Sequence, residues 1–497
     1  MRRHKLYANT VTSIVCEVVT IVCGILLPRY ILLSYGSDVN GLVNSVKQFL
    51  LMIAFLELGV GSVIQSALYG PLAAKDDEGI SRIYVSGQRF FRTIAKALLV
   101  YVLILSVVYP LLVKNEFGTL YTVALILITS ISYFFQYYFG ITEEILFMAD
   151  QRGYVRYLTV SLVLILNTAV SILLIKAGCE IHVVLLASSI IYLLRPIVYN
   201  AIARRFYRLD KKVQITGEPI KQKWNGIAQH VASVVLENTD TIVLTAFSTL
   251  SNVSIYAVYY LVISGIKQLF SSMLKGFSSL MGDMWAKGEK KSLEKLYTTL
   301  EWANHNAVIL VWSCVISLIV PFILCYTRGV EDADYNVPLF AFLISLAYAF
   351  YCLRLPYIMM IFAAGHYKQT QKQFIVAACL NLGLSVLAVH RFGLVGVAVG
   401  TLAAMVYQTV WMARYNLKNL IQISPVYLIK LILMDAALMA VCIWTSGFIS
   451  ISQGSYFTWA LSAIVVTAKN AAIILLVNLV FYRERIKGLL GTLRKKM

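Results

Sequence analysis

Leu166-Asn167-Thr168-Ala169-Val170-Ser171 and Leu380-Asn381-Leu382-Gly383-Leu384-Ser385 are one phrase written twice. Ala74-Lys75 with Ile83-Tyr84 is echoed by Ala286-Lys287 with Leu296-Tyr297. The spacing stays near about 213 residues throughout. A repeat fixes an architecture before any single residue does. In a membrane protein, two like halves mark a transporter with its substrate between them. Lys47-Gln48 and Lys267-Gln268 match at a different spacing and stand outside the repeat.

The membrane follows from composition. The chain is 59% hydrophobic and 13% charged, with a mean hydropathy of +0.76, whereas a soluble domain is about 45–50% apolar and about 25% charged. The net charge of +19 belongs to cytoplasmic loops and anionic lipid. Nucleic acid is excluded, since no soluble domain carries a basic face. The eight Cys are scattered without metal-ligand spacing and read as small packing residues. Met1-Arg2-Arg3-His4-Lys5 runs straight into an apolar segment, so the first span is expected to be a retained anchor.

A crossing needs about 20 mostly apolar residues. The sequence predicts an all-α polytopic protein with fourteen spans: 6–34, 41–69, 91–113, 121–148, 154–175, 182–203, 227–250, 254–274, 303–326, 337–364, 373–389, 394–417, 426–446 and 456–481. Charge supports the count. With the N-terminus inside, inner loops hold Arg82, Arg89 and Arg92, then Arg152 and Arg156, then the basic 204–223 stretch. Lys287, Lys290, Lys291 and Lys295 follow, then Lys368 and Lys372, Arg414 and Lys418, and a basic tail from Arg483 to Lys496. Outer loops and rims hold only Arg29, Lys114, Lys176, Arg328 and Arg391. Alternation over every loop places both termini in the cytoplasm.

The repeat covers six spans, an even number, so both halves share one orientation. The expected organisation is 1–203 for spans one to six, 204–226 for a basic cytoplasmic linker, 227–420 for spans seven to twelve, and 421–497 for two extra spans and the tail. All outer loops are short, so no soluble catalytic domain fits. The chain lacks a Gly-Lys-Ser/Thr phosphate loop, a His-Glu-x-x-His helix and a Gly-x-Ser-x-Gly elbow. Glu331-Asp332-Ala333-Asp334 reads as a solvated acidic loop. We expect no enzyme and no cofactor.

Charges inside spans carry the function. One at mid-bilayer costs about 2.5–3.5 kcal/mol even on the lenient insertion scale, and persists where it faces a wet cavity or a partner. The basic candidates are Arg29, Lys47, Lys267, Arg354 and Lys469; the acidic ones are Glu17, Glu57, Glu237, Asp240 and Asp435. Lys267 and Lys469 lie near the midplane, whereas Arg29 and Lys47 lie nearer the outer face and can snorkel. Five such cations predict a cavity that receives an anion. Arg holds a phosphate bidentately, and Lys acts as a point charge. Pro28 and Pro356 each remove a backbone bond and kink their spans. The Tyr133–Tyr138 run offers stacking faces for sugars as well as an interfacial belt.

The ordered motifs resemble one superfamily along the whole chain. They are Leu27-Pro28-Arg29-Tyr30-Ile31 with Tyr35-Gly36, Leu56-Glu57-Leu58-Gly59-Val60-Gly61, and Asn238-Thr239-Asp240. Val253-Ser254-Ile255-Tyr256 and Gly393-Leu394-Val395-Gly396-Val397-Ala398 complete them. The chain resembles the multidrug/oligosaccharidyl-lipid/polysaccharide flippase superfamily and, within it, the bacterial polysaccharide and O-antigen flippases. The resemblance implies two six-helix lobes in a V, around a central cavity in a monomer of the bacterial inner membrane. It implies export of an undecaprenyl-diphosphate-linked oligosaccharide by alternating access, alongside polymerase and other assembly proteins. The two extra spans resemble those that form a lipid-tail groove in lipid II flippases, whereas multidrug exporters of the superfamily usually have twelve spans. A cation-coupled multidrug exporter on the same fold is the alternative.

Coupling would use sodium or protons. Some lipid II flippases hold sodium between spans seven, eleven and twelve. Asp240, Asn381, Ser385, Val397 and Thr401 occupy similar places here, with Ser385 standing where a carboxylate is expected. Oxygen-only ligands suit a hard cation. Helix–helix hydrogen bonding by small polar residues explains the same cluster, and the Asn167/Ser171 echo favours that explanation.

Overall fold

The computed structural model describes residues 2–57, 59–113, 117–210, 212–213, 227–421, 424–451, 455–483 and 485. Lys114, most of the 204–226 linker and the tail beyond 485 lie outside the described residues. The described residues form helices and no strand. The first half holds α1 (Arg2–Leu51), α2 (Val60–Ala74), α3 (Asp77–Leu112), α4 (Thr119–Phe139), α5 (Ile141–Ala149), α6 (Gly153–Lys176), α7 (Ile181–Tyr192) and α8 (Leu194–Phe206). Then come α9 (Ile227–Phe247), α10 (Leu250–Ala286), α11 (Lys290–Tyr326), α12 (Pro338–Leu353), α13 (Leu355–Ala363), α14 (Tyr367–Asn419), α15 (Pro425–Ser446) and α16 (Tyr456–Phe481). Eleven stretches among the described residues are long and apolar enough to cross a membrane, so the protein is multi-pass. Leu111, Leu387 and Val480 are each more than 70% exposed, as lipid-facing side chains are.

Two stretches exceed one crossing. Tyr7–Glu57 has 51 residues and Tyr367–Asn419 has 53, against the about 20 that a bilayer needs. Each is bent at a glycine whose backbone other residues rarely adopt: Gly36 (φ 82°, ψ 176°) and Gly393 (φ 51°, ψ −123°). In α14 the bend is a reversal. Ser385 Oγ donates to the Val397 carbonyl at 3.4 Å across it. A Cβ added at Gly400 would lie 2.3 Å from Ser385 Oγ. In α1, Asn9 accepts from the Tyr154 amide (2.8 Å) and the Tyr35 hydroxyl donates to the Cys179 carbonyl (2.5 Å). The first part of α1 therefore runs alongside α6 in the same direction. Beyond Gly36 the chain opposes α3, since Tyr109 bonds Ser45 (2.7 Å) and Tyr101 bonds the Phe49 carbonyl (2.8 Å).

Elsewhere, local chemistry ends the helices. Asp76 caps α3 by accepting from the Gly79 amide at 2.9 Å, and Asp77 and Glu78 follow in the first turn, where the helix dipole favours acids. Ser424 and Ser455 cap α15 and α16. Pro356 offers no N–H to the carbonyl four residues back, so the helix breaks at Arg354 between α12 and α13. The stranded Cys352 carbonyl instead accepts from Asn304 Nδ2 at 3.0 Å.

The repeat survives in three dimensions. α4 breaks at Gly140 where the second half breaks at Arg354. Ser189 and Asn200 donate to the Ile128 and Phe139 carbonyls at 2.8 and 2.7 Å, which runs α7–α8 parallel to α4. Thr409 and Asn416 donate to the Phe350 and Tyr357 carbonyls at 2.9 and 3.0 Å, which does the same for α14 and α12–α13. The chain divides into two compact units, Met1–Ala257 and Val258–Met497. The first has a core around Leu42, Val46, Ile64, Phe91, Leu98 and Leu125. The extra helices α15 and α16 belong to the second. There α16 runs antiparallel to α11, with Trp302 bonded to Asn478 (3.0 Å), Asn470 to Ser313 (3.0 Å) and Trp459 to the Leu318 carbonyl (3.2 Å).

Candidate functional site

The second unit brings two of the expected cations together. Lys267 comes from α10, and Arg354 from the break between α12 and α13. Both lie against one ring: Lys267 Nζ is 4.8 Å from the Tyr351 centroid and the Arg354 guanidinium 4.5 Å. Lys267 Nζ is also 5.9 Å from the Tyr348 ring, and Tyr348 packs on Tyr260 at 5.6 Å. A cation over a tyrosine face gains about 0.5–1 kcal/mol exposed and about 2 when desolvated. The ring thus gathers two positive charges, each within 4.8 Å of its centre. Arg354 is 5% exposed, and Lys267 and Tyr351 are half-buried. The backbone break matters here, because it sets the guanidinium at the mouth of a new helix, α13, rather than along a continuous one.

The other cations lie elsewhere. Lys469 donates to the Cys442 carbonyl (3.1 Å), Thr445 Oγ1 (2.9 Å) and Ser446 Oγ (2.7 Å). All three of its donors thereby close the C-terminal turn of α15, where a cation also suits the helix dipole. Arg29 and Lys47 both belong to the first unit, on the two sides of the Gly36 bend, and both are half-buried. Lys47 carries no hydrogen bond or ion pair among the described residues.

Around Lys47 runs a polar seam that sequence reasoning missed. Asn40 donates to Ser254 Oγ at 2.7 Å, Ser45 bonds Thr245 at 2.7 Å, and Gln48 bonds Asn238. Tyr256 donates to Asp240 at 2.9 Å. Small polar residues in spans resemble ordinary packing, and the sequence cues here were the Asn238-Thr239-Asp240 and Val253-Ser254-Ile255-Tyr256 motifs.

Four of the five expected ion ligands meet at the α14 hairpin. Ser385 Oγ donates to Asn381 Oδ1 at 3.1 Å and contacts the Val397 carbonyl, which also accepts from Thr401 at 3.1 Å. All four are fully buried. The Asn381 amide nitrogen makes no hydrogen bond among the described residues. Asp240 belongs to the first unit, where it holds Tyr256. In the first half, Asn167 Oδ1 and Ser171 Oγ are likewise buried without hydrogen bonds among the described residues.

Where α5 meets α6 and α8 ends, Arg152 bonds Asp150 at 2.5 Å and its guanidinium covers the Phe206 ring at 3.9 Å. Tyr207 donates to the same carboxylate at 2.8 Å. Burial, and then the Asp150 charge, hold the Tyr207 hydroxyl well above the ordinary phenol range.

No protein-family model matches the chain, and no curated protein matches it in sequence. Solved structures do. The lipid II flippase MurJ in an inward closed conformation matches with a TM-score of 0.73 at 15% identity, over 96% of this chain and 99% of that one. An inward-facing multidrug resistance MATE transporter of the MOP superfamily matches with a TM-score of 0.53 at 15% identity, over 80% and 94%. A eukaryotic MATE transporter matches with a TM-score of 0.54 at 12% identity, over 82% and 96%. At these identities the likeness is one of fold.

Proposed function

We propose that this protein is a flippase of the MOP superfamily that moves an undecaprenyl-diphosphate-linked oligosaccharide from the inner to the outer leaflet of the bacterial inner membrane by alternating access. The observation that carries the reading is the Lys267–Tyr351–Arg354 cluster. Two cations at one aromatic ring, inside membrane-spanning helices, suit a diphosphate: Arg grips two oxygens and Lys adds a point charge. The neighbouring tyrosines offer faces to the sugar. Arg29 and Lys47 are the half-buried candidate cations of the first unit. Lys469 is left out of the binding set, because its donors already hold α15.

The lipid tail is supported by coverage. The MurJ likeness extends over nearly the whole chain, α15 and α16 included, whereas the drug transporters match about four-fifths of it. On this reading each glycine-bent stretch makes two passes and α9 one more, in line with the fourteen spans expected from apolar length and charge. Both termini then face the cytoplasm. The protein is read as a non-enzymatic monomer that works beside polysaccharide assembly proteins.

An inside-negative potential favours outward movement of the diphosphate by about 2.3 kcal/mol per charge per 100 mV. The coupling ion is proposed as sodium or a proton; for a hard cation, Asn381, Ser385, Val397 and Thr401 would supply the oxygen donors. Deleting the gene and analysing lipid-linked intermediates tests the reading. Complete oligosaccharide should accumulate on the inner leaflet. Unchanged intermediates together with lost drug efflux would favour the exporter instead.

A further inference from the structure

A second buried cluster lies in the same unit and has no part in the diphosphate site. Glu301 and His305 are one turn apart on α11, and are 3% and 1% exposed. His305 Nδ1 is 2.5 Å from Asp435 Oδ2 on α15, and its Nε2 is 3.0 Å from the Tyr357 hydroxyl on α13. That hydroxyl also faces the Glu301 carboxyl. Tyr297 stands beside Glu301 and Tyr357, and Tyr427, Tyr482 and Arg485 lie within electrostatic reach of Glu301 and Asp435. Arg485 itself is tied to Tyr427 (3.0 Å) and the Thr298 carbonyl (3.1 Å).

The repeat makes the cluster informative. Tyr84, Gln88, Arg92 and Glu143 stand in the first half where Tyr297, Glu301, His305 and Tyr357 stand in the second. Tyr84 donates to Glu143 at 2.5 Å and Gln88 to Tyr84 at 3.2 Å. Each half buries one tyrosine–carboxylate pair, with the acid supplied from opposite partners. The first half has a permanently charged Arg92 where the second has a titratable His305. The second half alone adds Asp435, from a helix with no counterpart.

We propose that Glu301, His305 and Asp435 form a proton-binding site, and that its occupancy is passed through Tyr357 to the Arg354 cluster, making translocation pH-dependent. The proton balance is explicit. With the ring neutral, Nδ1–H faces Asp435 and Nε2 accepts from Tyr357. A proton taken from water onto Nε2 makes the imidazolium, which Asp435 neutralises. Nε2 then donates to the Tyr357 oxygen, and the hydroxyl proton turns to Glu301. Release reverses each step. Tyr357 lies one turn beyond Arg354 on α13, so the rotation acts on the helix whose mouth holds the guanidinium.

This rests on the transport reading for its consequence and not for proton binding itself. The test is pH-difference infrared spectroscopy of the full chain in liposomes, with lipid translocation measured across the same pH range. Wild type should show an imidazole titration coupled to carboxyl bands that Asp435→Asn and Glu301→Gln each diminish. His305→Arg, the first-half solution, should abolish the titration and flatten the pH profile of transport. Tyr357→Phe, which removes one atom, should keep the imidazole titration and uncouple the Glu301 band. A wild-type titration unchanged in His305→Arg, or a Glu301 band still coupled in Tyr357→Phe, overturns the site. A pH profile identical in wild type and His305→Arg overturns its link to transport. Proton binding in a wild type that translocates no lipid supports the site and overturns the flippase reading.

Discussion

Alanine at Gly396 or Gly400 should separate the two arms of the α14 hairpin. A Cβ at Gly396 would lie 2.5 Å from both the carbon and the oxygen of the Ala388 carbonyl, and 2.8 Å from the Val389 nitrogen. At Gly400 it would lie 2.3 Å from Ser385 Oγ, 2.8 Å from the Ser385 nitrogen and 2.9 Å from the Asn381 carbonyl. Carbon atoms pack at about 3.5–4.0 Å, so each methyl intrudes by about 1 Å. The obstacle is mostly backbone and cannot rotate away. Overpacking of this kind destabilises by about 1–3 kcal/mol, a shift of about 5- to 150-fold in the folding equilibrium. Gly383, on the same helix, supplies the control, because its Cβ would meet nothing within 4 Å. There alanine should be neutral or stabilise by about 0.5–1 kcal/mol through helix propensity. Denaturant titration of the purified variants in one detergent reads the difference. If Gly396→Ala and Gly400→Ala match Gly383→Ala, the close pairing of the arms across Gly393 is wrong.

Asn304→Ala should destabilise the second unit by about 1–3 kcal/mol, because it strands the buried Cys352 carbonyl that Pro356 has already deprived of a donor; thermal unfolding checks it. Lys469→Met should lower stability by about 1.5–3 kcal/mol while leaving affinity for a lipid diphosphate unchanged, and weakened binding with normal stability would reverse that assignment. Sodium should raise the unfolding temperature of wild type but not of Thr401→Val, and equal stabilisation of both would remove Thr401 from the ion site.

The fold was legible where composition and repetition act over long stretches. Apolar length and basic loops located the helices, and the Leu166/Leu380 echo paired the halves. The expected spans divide between 34 and 41 and between 389 and 394, where the chain bends at Gly36 and Gly393; what was harder to see is that helix continues up to each glycine from both sides. Pro356 was read as a kink, and its effect appears at Arg354. Lys267 and Arg354 each stood out as buried cations, but their meeting on Tyr351 joins distant segments and leaves no local pattern. Lys469 looked equivalent by depth alone; only the α15 turn shows that its donors are engaged. Asp435 was visible as an intramembrane acid, whereas its partner His305 resembled any apolar-span histidine until the repeat set it against Arg92.

The most direct test of the central claim is translocation of an undecaprenyl-diphosphate oligosaccharide by the purified protein in proteoliposomes, read by enzymatic access to the sugar at the far leaflet. Wild type should move the lipid. The Lys267→Met and Arg354→Met double variant should bind it more weakly, with each lost charged hydrogen bond worth about 1.5–3 kcal/mol, or roughly 10- to 150-fold, and transport should fall accordingly. A folded double variant that translocates at the wild-type rate would contradict the account.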